Sequence, residues 1–331
     1  MDQEIARIYA LHEVGPVADQ VAKNYLLQDY HGKLTEETRR RQRTDLAHFE
    51  AYLLQVSVQV ADPLYLQLAG WAGMSWGIVE GFKRAHLAAG FAIGTVNVRL
   101  ATVKAYCTLA HQAGILDEPT HRLIAGVKAI SRRVGRNLDE TREITRRSTK
   151  KAEALVLSQA HVQALKAHLR ADTSYIGRRD LLLLCLLVDH GLRCGEVVGL
   201  RVAGLDLAAG IFTVYRHKVD KFQTHLMTGE TLQAARRYIQ EARPQGPFLF
   251  GGFTPGQPLT TRGINKRVGE LGRLVGIERL SPHDLRHTWA TRATRNGTPL
   301  ERLRQAGGWA GLSMPLRYIE ESAIANEGVI L

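Results

Sequence analysis

Arg193 in GLRCGEVVGL, His283 and Arg286 in SPHDLRHTWAT, and Trp309 and Tyr318 in GGWAGLSMPLRYIE are side chains whose combined chemistry suits a phosphodiester. His283 and Arg286 stand three apart near the start of a helix, so they share a face that could meet one phosphate. Breaking a phosphodiester without a metal needs cations that fork onto the non-bridging oxygens, a nucleophile, and an acid that protonates the departing alkoxide. Two arginines meet the first need, because a guanidinium gives two parallel hydrogen bonds to phosphate and stays charged. A tyrosine meets the second. Its pKa of about 10 makes it a poor nucleophile when free and a competent one beside cations, and its phosphate ester keeps the energy of the broken bond for a later joining step.

Taken singly, each residue has an ordinary structural reading. Arg193 would be a solvated helix residue or an ion-pair partner of Glu196, His283 a capping-region histidine, Trp309 a core anchor and Tyr318 an amphipathic surface residue. Their joint occurrence is what shifts the reading. His287, Glu196 and Asp284 lie in the same boxes and are assigned to orientation and helix-start electrostatics. Other motifs fail on their surroundings. Gly251 and Gly256 have the spacing of a phosphate-cradling loop, but Gln257-Pro258 follows where Lys-Ser/Thr is required. Gly73-Met-Ser75-Trp-Gly77 fits a serine-hydrolase elbow, yet its flanks read as helix rather than strand before and helix after. No H-E-x-x-H and no carboxylate cluster for paired divalent ions is present, so no metal and no cofactor is expected.

The elements that must position these residues follow from periodicity. Residues 35 to about 130 carry apolar residues three and four apart in TDLAHFEAYLLQV, SWGIVEGFKRAHLAAG and TVNVRLATVKAYCTLAHQAGIL, a helical bundle. After 152 a helix over 158–170 leads to the buried run DLLLLCLLVDHG, stopped at Gly191. IFTVYRHK (211–218) and THLMT (224–228) read as a small hairpin, and helices follow over about 229–243 and 261–275. Ser281-Pro282 opens a helix that ends near Asn296-Gly297, Thr298-Pro299 opens one halted by Gly307-Gly308, and a last short helix carries Arg317 and Tyr318. The fold class is therefore mainly α, an α+β chain with a small antiparallel sheet.

The chain has 331 residues, 45% of them apolar, enough for about two domains each with a core. Lys and Arg number 44 against 32 Asp and Glu, a net charge of +12, which points to a polyanionic partner. Eight basic and three acidic residues crowd into 131–151, read as an exposed basic linker whose Arg132, Arg133, Arg136, Arg146 and Arg147 suit a phosphate backbone. The competing reading of this stretch is a solvated helix face. Three cysteines without C-x-x-C spacing favour a reducing compartment, with Cys185 and Cys194 as core filler. The longest apolar run is Leu181 to Val188, and MDQEIAR is no secretory signal, so a soluble cytoplasmic protein without membrane association is expected.

The series Arg193, His283-x-x-Arg286, Trp309 and Tyr318 resembles that of the tyrosine recombinases, the phage integrases and chromosome-dimer resolvases. Arg286 to Trp309 is 23 positions and Trp309 to Tyr318 is nine, both in keeping with that family, and TVNVRLATVKAYCTLAHQAGIL is similar to its last core-binding helices. The resemblance implies that Arg193 and Arg286 clamp the scissile phosphate and that Tyr318 attacks it, leaving a 3′-phosphotyrosyl link and a free 5′-hydroxyl. His283 would be a proton acceptor or hydrogen-bond partner. The family's general acid is a lysine on a hairpin turn; Lys218, ending the first strand, is the first choice and Lys221 the second. Trp309 stands where histidine is commoner and can donate but not shuttle a proton. The expected layout is an N-terminal extension (1–30), a helical DNA-clasping domain (31–130), the linker (131–151) and a catalytic domain with a tail (152–331). The partners implied are duplex DNA held in a C-shaped clamp, a homotetramer on paired sites, a tail that docks on a neighbouring subunit, and accessory DNA-bending proteins at the nucleoid. Two alternatives remain: a catalytically idle DNA-binding relative, and a type IB-like topoisomerase.

Overall fold

The computed structural model describes residues 2–146 and 154–322, with side chains over 14–146 and 154–318. Two compact units result, Met1–Lys150 and Lys151–Leu331.

The described part of the first unit is helical: α1 (Asp2–Gly32), α2 (Glu36–Gln55), α3 (Trp76–Ala88), α4 (Ile93–Gln112), α5 (Glu118–Ala125) and α6 (Arg132–Thr141). Thr35, Ser75, Asp117 and Ser131 start four of these, each side chain accepting from a backbone N–H three residues on, which satisfies an otherwise orphaned donor. Their apolar faces meet in a core of Leu46, Phe49, Leu53, Trp71, Phe82, Val103 and Tyr106. Leu27 and Tyr30 of α1 pack on that core, and the Gln42 amide donates to Tyr30 Oη at 2.6 Å. The end of the expected extension over 1–30 is thus part of the bundle. Ser75 caps α3, and a 3-10 turn, not a strand, precedes it, so no nucleophile elbow forms there.

The linker expected over 131–151 is half helix. Ser131 caps α6, Gly135 faces Ile93 where a Cβ would approach to 3.3 Å, and Arg142 folds back to donate to Leu87 O at 3.1 Å and Phe91 O at 3.0 Å. Capping and this anchorage outweigh the repulsion of a basic run, so the solvated-helix reading holds for 132–141.

The second unit is built around α8 (Tyr175–Val188), whose Leu181–Val188 run is buried on every side. Around it lie α7 (Gln159–Ala171), α9 (Cys194–Val198), α10 (Gly229–Arg237) running into a π turn (Tyr238–Ala242), α11 (Thr261–Leu274), α12 (Pro282–Arg295), α13 (Leu300–Gly307) and α14 (Ser313–Ser322). The cap of α8 is Asp189, and Gly191 follows at φ +60, where a Cβ would come within 2.1 Å of Trp289. Strands β1 (Leu205–Asp206), β2 (Ile211–Arg216) and β3 (Lys221–Leu226) form an antiparallel sheet in that order. Register runs from Ile211 opposite Leu226 to Arg216 opposite Lys221. The first long strand therefore ends at Arg216 rather than Lys218, and the second begins at Lys221 rather than Thr224. Asp220 at φ +45, bonded to the Tyr215 hydroxyl, closes the turn early. Among the described residues no helix is long and apolar enough to cross a membrane.

Candidate active site

Five chain segments converge on the end of α13. Arg193 precedes α9, and its backbone N–H donates to Glu196 Oε2 at 2.7 Å while its Nη1 donates to Glu196 Oε1 at 2.7 Å. The carboxylate thus fixes both the start of the helix and the direction of the guanidinium. Arg193 Nη2 donates to Gly308 O at 3.0 Å. Arg286 lies one turn into α12, a helix placed by the Ser281–Asp284 capping box. It is buried, and it donates through Nη2 to Gly307 O at 2.6 Å and through Nη1 to Gly191 O. The two arginines, 93 positions apart in the chain, are aligned by adjacent carbonyls.

Trp309 follows those carbonyls, and its ring lies 4.5 Å from the Arg286 guanidinium carbon, a cation–π arrangement that keeps the charge in a dry site. Burial, then the positive Arg193, with Arg216 adding to it, pushes the Arg286 pKa down to about 9. It remains a cation at neutral pH. Tyr318 on α14 is buried, its ring 5.7 Å from Trp309 and 4.8 Å from His287. His283 is exposed at the start of α12, its ring 5.1 Å from His287. Arg193, Arg286, Trp309, Tyr318 and His283 are thus brought into one continuous neighbourhood, with His287 between the last two.

Lys218 is exposed in the four-residue turn 217–220, and Lys221 is exposed at the start of β3. Arg132, Arg133 and Arg136 are exposed on α6, in the other unit, and Arg146 is exposed just beyond it. Arg147 and the tail from 323 onward lie outside the described residues.

One participant is absent from the sequence reading. Arg216 is fully buried, paired with Glu196 and donating to Ala306 O at 2.6 Å. Three arginines therefore hold the carbonyls of residues 306, 307 and 308 in succession. The signal was present: in IFTVYR the alternation puts Phe212, Val214 and Arg216 on one face, so a core-facing strand ends on a charge.

As to metal ligands, His111, Glu118 and His121 of the first unit offer atoms within 4.8 Å of one another. Their two imidazoles stack 3° from parallel at 4.5 Å. Lone pairs lying in parallel planes do not converge on one ion, so this is no assembled coordination site.

A profile of the Phage integrase family matches residues 155–323. Tyrosine recombinase XerD of Lacticaseibacillus casei is 36% identical over 179 residues, 51% of this chain and 60% of that protein. Tyrosine recombinase XerC of Corynebacterium efficiens is 27% identical over 293 residues, 87% of this chain and 82% of that protein. The chain spans about half to three fifths of the length of several such relatives. In fold it is similar to the Tn1549 transposon integrase in complex with transposon right-end DNA, with a TM-score of 0.62 at 17% identity over 89% of this chain and 93% of that one. It is also similar to a lambda integrase dimer bound to a COC′ core site, with a TM-score of 0.61 at 12% identity over 100% of this chain and 89% of that one. The matched segment contains the whole arginine, histidine, tryptophan and tyrosine constellation, and the chain belongs to the phage integrase family of tyrosine recombinases.

Proposed function

We propose that the chain is a site-specific DNA recombinase that cuts and rejoins strands through Tyr318. Arg193 and Arg286 grip the non-bridging oxygens of the scissile phosphate as charge builds on them. The Tyr318 oxygen attacks phosphorus, the bond to the 5′ oxygen breaks, and a 3′-phosphotyrosyl link and a 5′-hydroxyl result. His283 takes or shares the phenol proton, Lys218 supplies the proton to the leaving oxygen with Lys221 as second choice, and Trp309 donates its indole N–H and packs. The reaction needs no cofactor, because the joining step uses the energy kept in the ester. By this reading the working form is a homotetramer on paired duplex sites, aided by DNA-bending proteins at the nucleoid, with 131–151 along the backbone.

The observation that carries the reading is the pairing of Arg193 and Arg286 through adjacent carbonyls, with Trp309 over one of them and Tyr318 against Trp309. A duplex enriched by binding from a randomised library, then nicked so that the 5′-hydroxyl product diffuses away, tests it. The intact chain yields a covalent protein–DNA species and Tyr318→Phe yields none. Binding with no trapped species for either would leave a DNA-binding relative, and relaxation of supercoils on unrelated DNA would mark a topoisomerase.

A further inference from the structure

Arg216 ends β2 with no solvent exposure, a costly place for a charge unless every donor is used. Its Nη1 meets Glu196, the carboxylate that also orients Arg193. Its Nη2 donates to Ala306 O at 2.6 Å and lies 3.0 Å from His225 Nε2, and its Nε donates to Gln223 Oε1 at 3.0 Å. Gln223 in turn donates to Gln305 O at 2.8 Å. Both strands that enter the turn 217–220 are thereby fastened to the last turn of α13, one through Arg216 and the other through Gln223. Gly308 makes room for the fastening, since a Cβ there would come within 2.8 Å of Arg216 Cδ. Lys218 stands two residues beyond Arg216 on a long flexible stem, so its ammonium is located chiefly by the backbone that carries it.

Resting on the function proposed above, we infer that Arg216 is a positioning residue for the leaving-group step: it holds the turn bearing Lys218 in register with the arginine clamp. In that step the Tyr318 oxygen bonds to phosphorus, the bond to the 5′ oxygen breaks, and the proton of the Lys218 ammonium passes to that oxygen. Without Arg216, Arg286 still has its own bonds to Gly191 O and Gly307 O and Tyr318 its packing on His287 and Trp309, so the loss is expected to fall chiefly on the acid.

The test uses the full chain on the enriched, nicked duplex in two forms, one with an ordinary scissile phosphate and one with a 5′-bridging sulfur, whose thiolate leaves without a proton. Arg216→Lys lowers trapping on the ordinary phosphate by about tenfold to a hundredfold, part of the roughly 10²–10⁴ that a general acid supplies. On the sulfur substrate it stays within about threefold of the intact chain, and DNA binding is retained, as expected when only the acid step is affected. Gln223→Ala, a milder change on the same latch, shows the same pattern with smaller loss, and decides the matter alone if Arg216→Lys does not fold. Equal losses on both substrates, or no loss on the ordinary one, overturn the inference. Failure of the intact chain to be trapped on either form overturns the proposed function instead.

Discussion

Glu196→Gln removes one charge from the centre of the clamp while keeping its volume. In the structure the Glu196 carboxylate receives the Arg193 N–H, the Arg193 Nη1 and the Arg216 Nη1. An amide offers one acceptor oxygen and turns an N–H toward groups that are themselves donors. Breaking a buried pair costs about 3–5 kcal/mol because the partner charge is left uncompensated. Arg216 has no exposure, whereas the Arg193 side chain is 22% exposed and recovers some hydration, so about 3 kcal/mol, the lower end, is the working figure. For a unit of this size that corresponds to a fall in Tm of about 6–12 °C. Calorimetry of the full chain reads it as a downward shift of the transition of the second unit. Trapping of the nicked duplex should fall with it, since Arg193 loses its direction. A shift under about 2 °C with undiminished trapping would mean that neither arginine depends on this carboxylate, and the account of the clamp would be wrong.

Acid should weaken the second unit before its carboxylates titrate. Burial lowers the pKa of His190 to about 4 and that of His225 to about 3, the latter helped by the Arg216 charge. Both stay neutral in the fold while the unfolded chain binds protons from its ordinary value near 6.5 downward, so stability falls as pH drops from about 6.5 to about 3. Melts across that window should show the decline, and His225→Gln should shorten its acid end; a flat profile down to pH 4 would contradict the lowered values of the buried His190 and the half-buried His225. Replacing Arg132, Arg133 and Arg136 together by Ala should lower the slope of log affinity against log salt by about two to three, equally for enriched and random duplexes. An unchanged slope would remove α6 from the DNA contact.

The sequence made most of the second unit readable because its helix boundaries are chemical. Ser281 and Asn296 occupy the cap positions expected of them, the helix expected over 158–170 starts from Ser158 as its cap, and Gly308 takes the left-handed conformation that ends α13. The candidate site residues were legible only jointly, through the order and spacing of Arg193, His283, Arg286, Trp309 and Tyr318, since each alone is ordinary at its position. What escaped was decided by contacts between residues that no local run or cap announces. Leu205 and Asp206 become a strand only because Phe212 and Ile211 lie opposite them. The turn at 217–220 was misplaced because Lys218 extends the strand-like run of residues, while the closing bond from Tyr215 to Asp220 has no local signature. For Arg216 the alternation of IFTVYR marks a buried charge but not its role, which depends on its partners at 196 and 306. The basic stretch misled for a related reason: its composition suggests a tether, and Arg142 reaching Leu87 and Phe91 shows that an arginine can also be an anchor.

The carbonyls of residues 306 to 308 belong to the main chain, and substitution cannot delete a main-chain atom. Drift in the side chains of this segment leaves the three acceptors where they are, provided that Gly307 and Gly308 stay small enough for the Trp309 ring and the Arg216 guanidinium packed on them. The orientation of the cations is therefore inherited from the path of the polypeptide. A lineage could remodel the outer surface of α13 to suit new neighbours and still pass on the same grip.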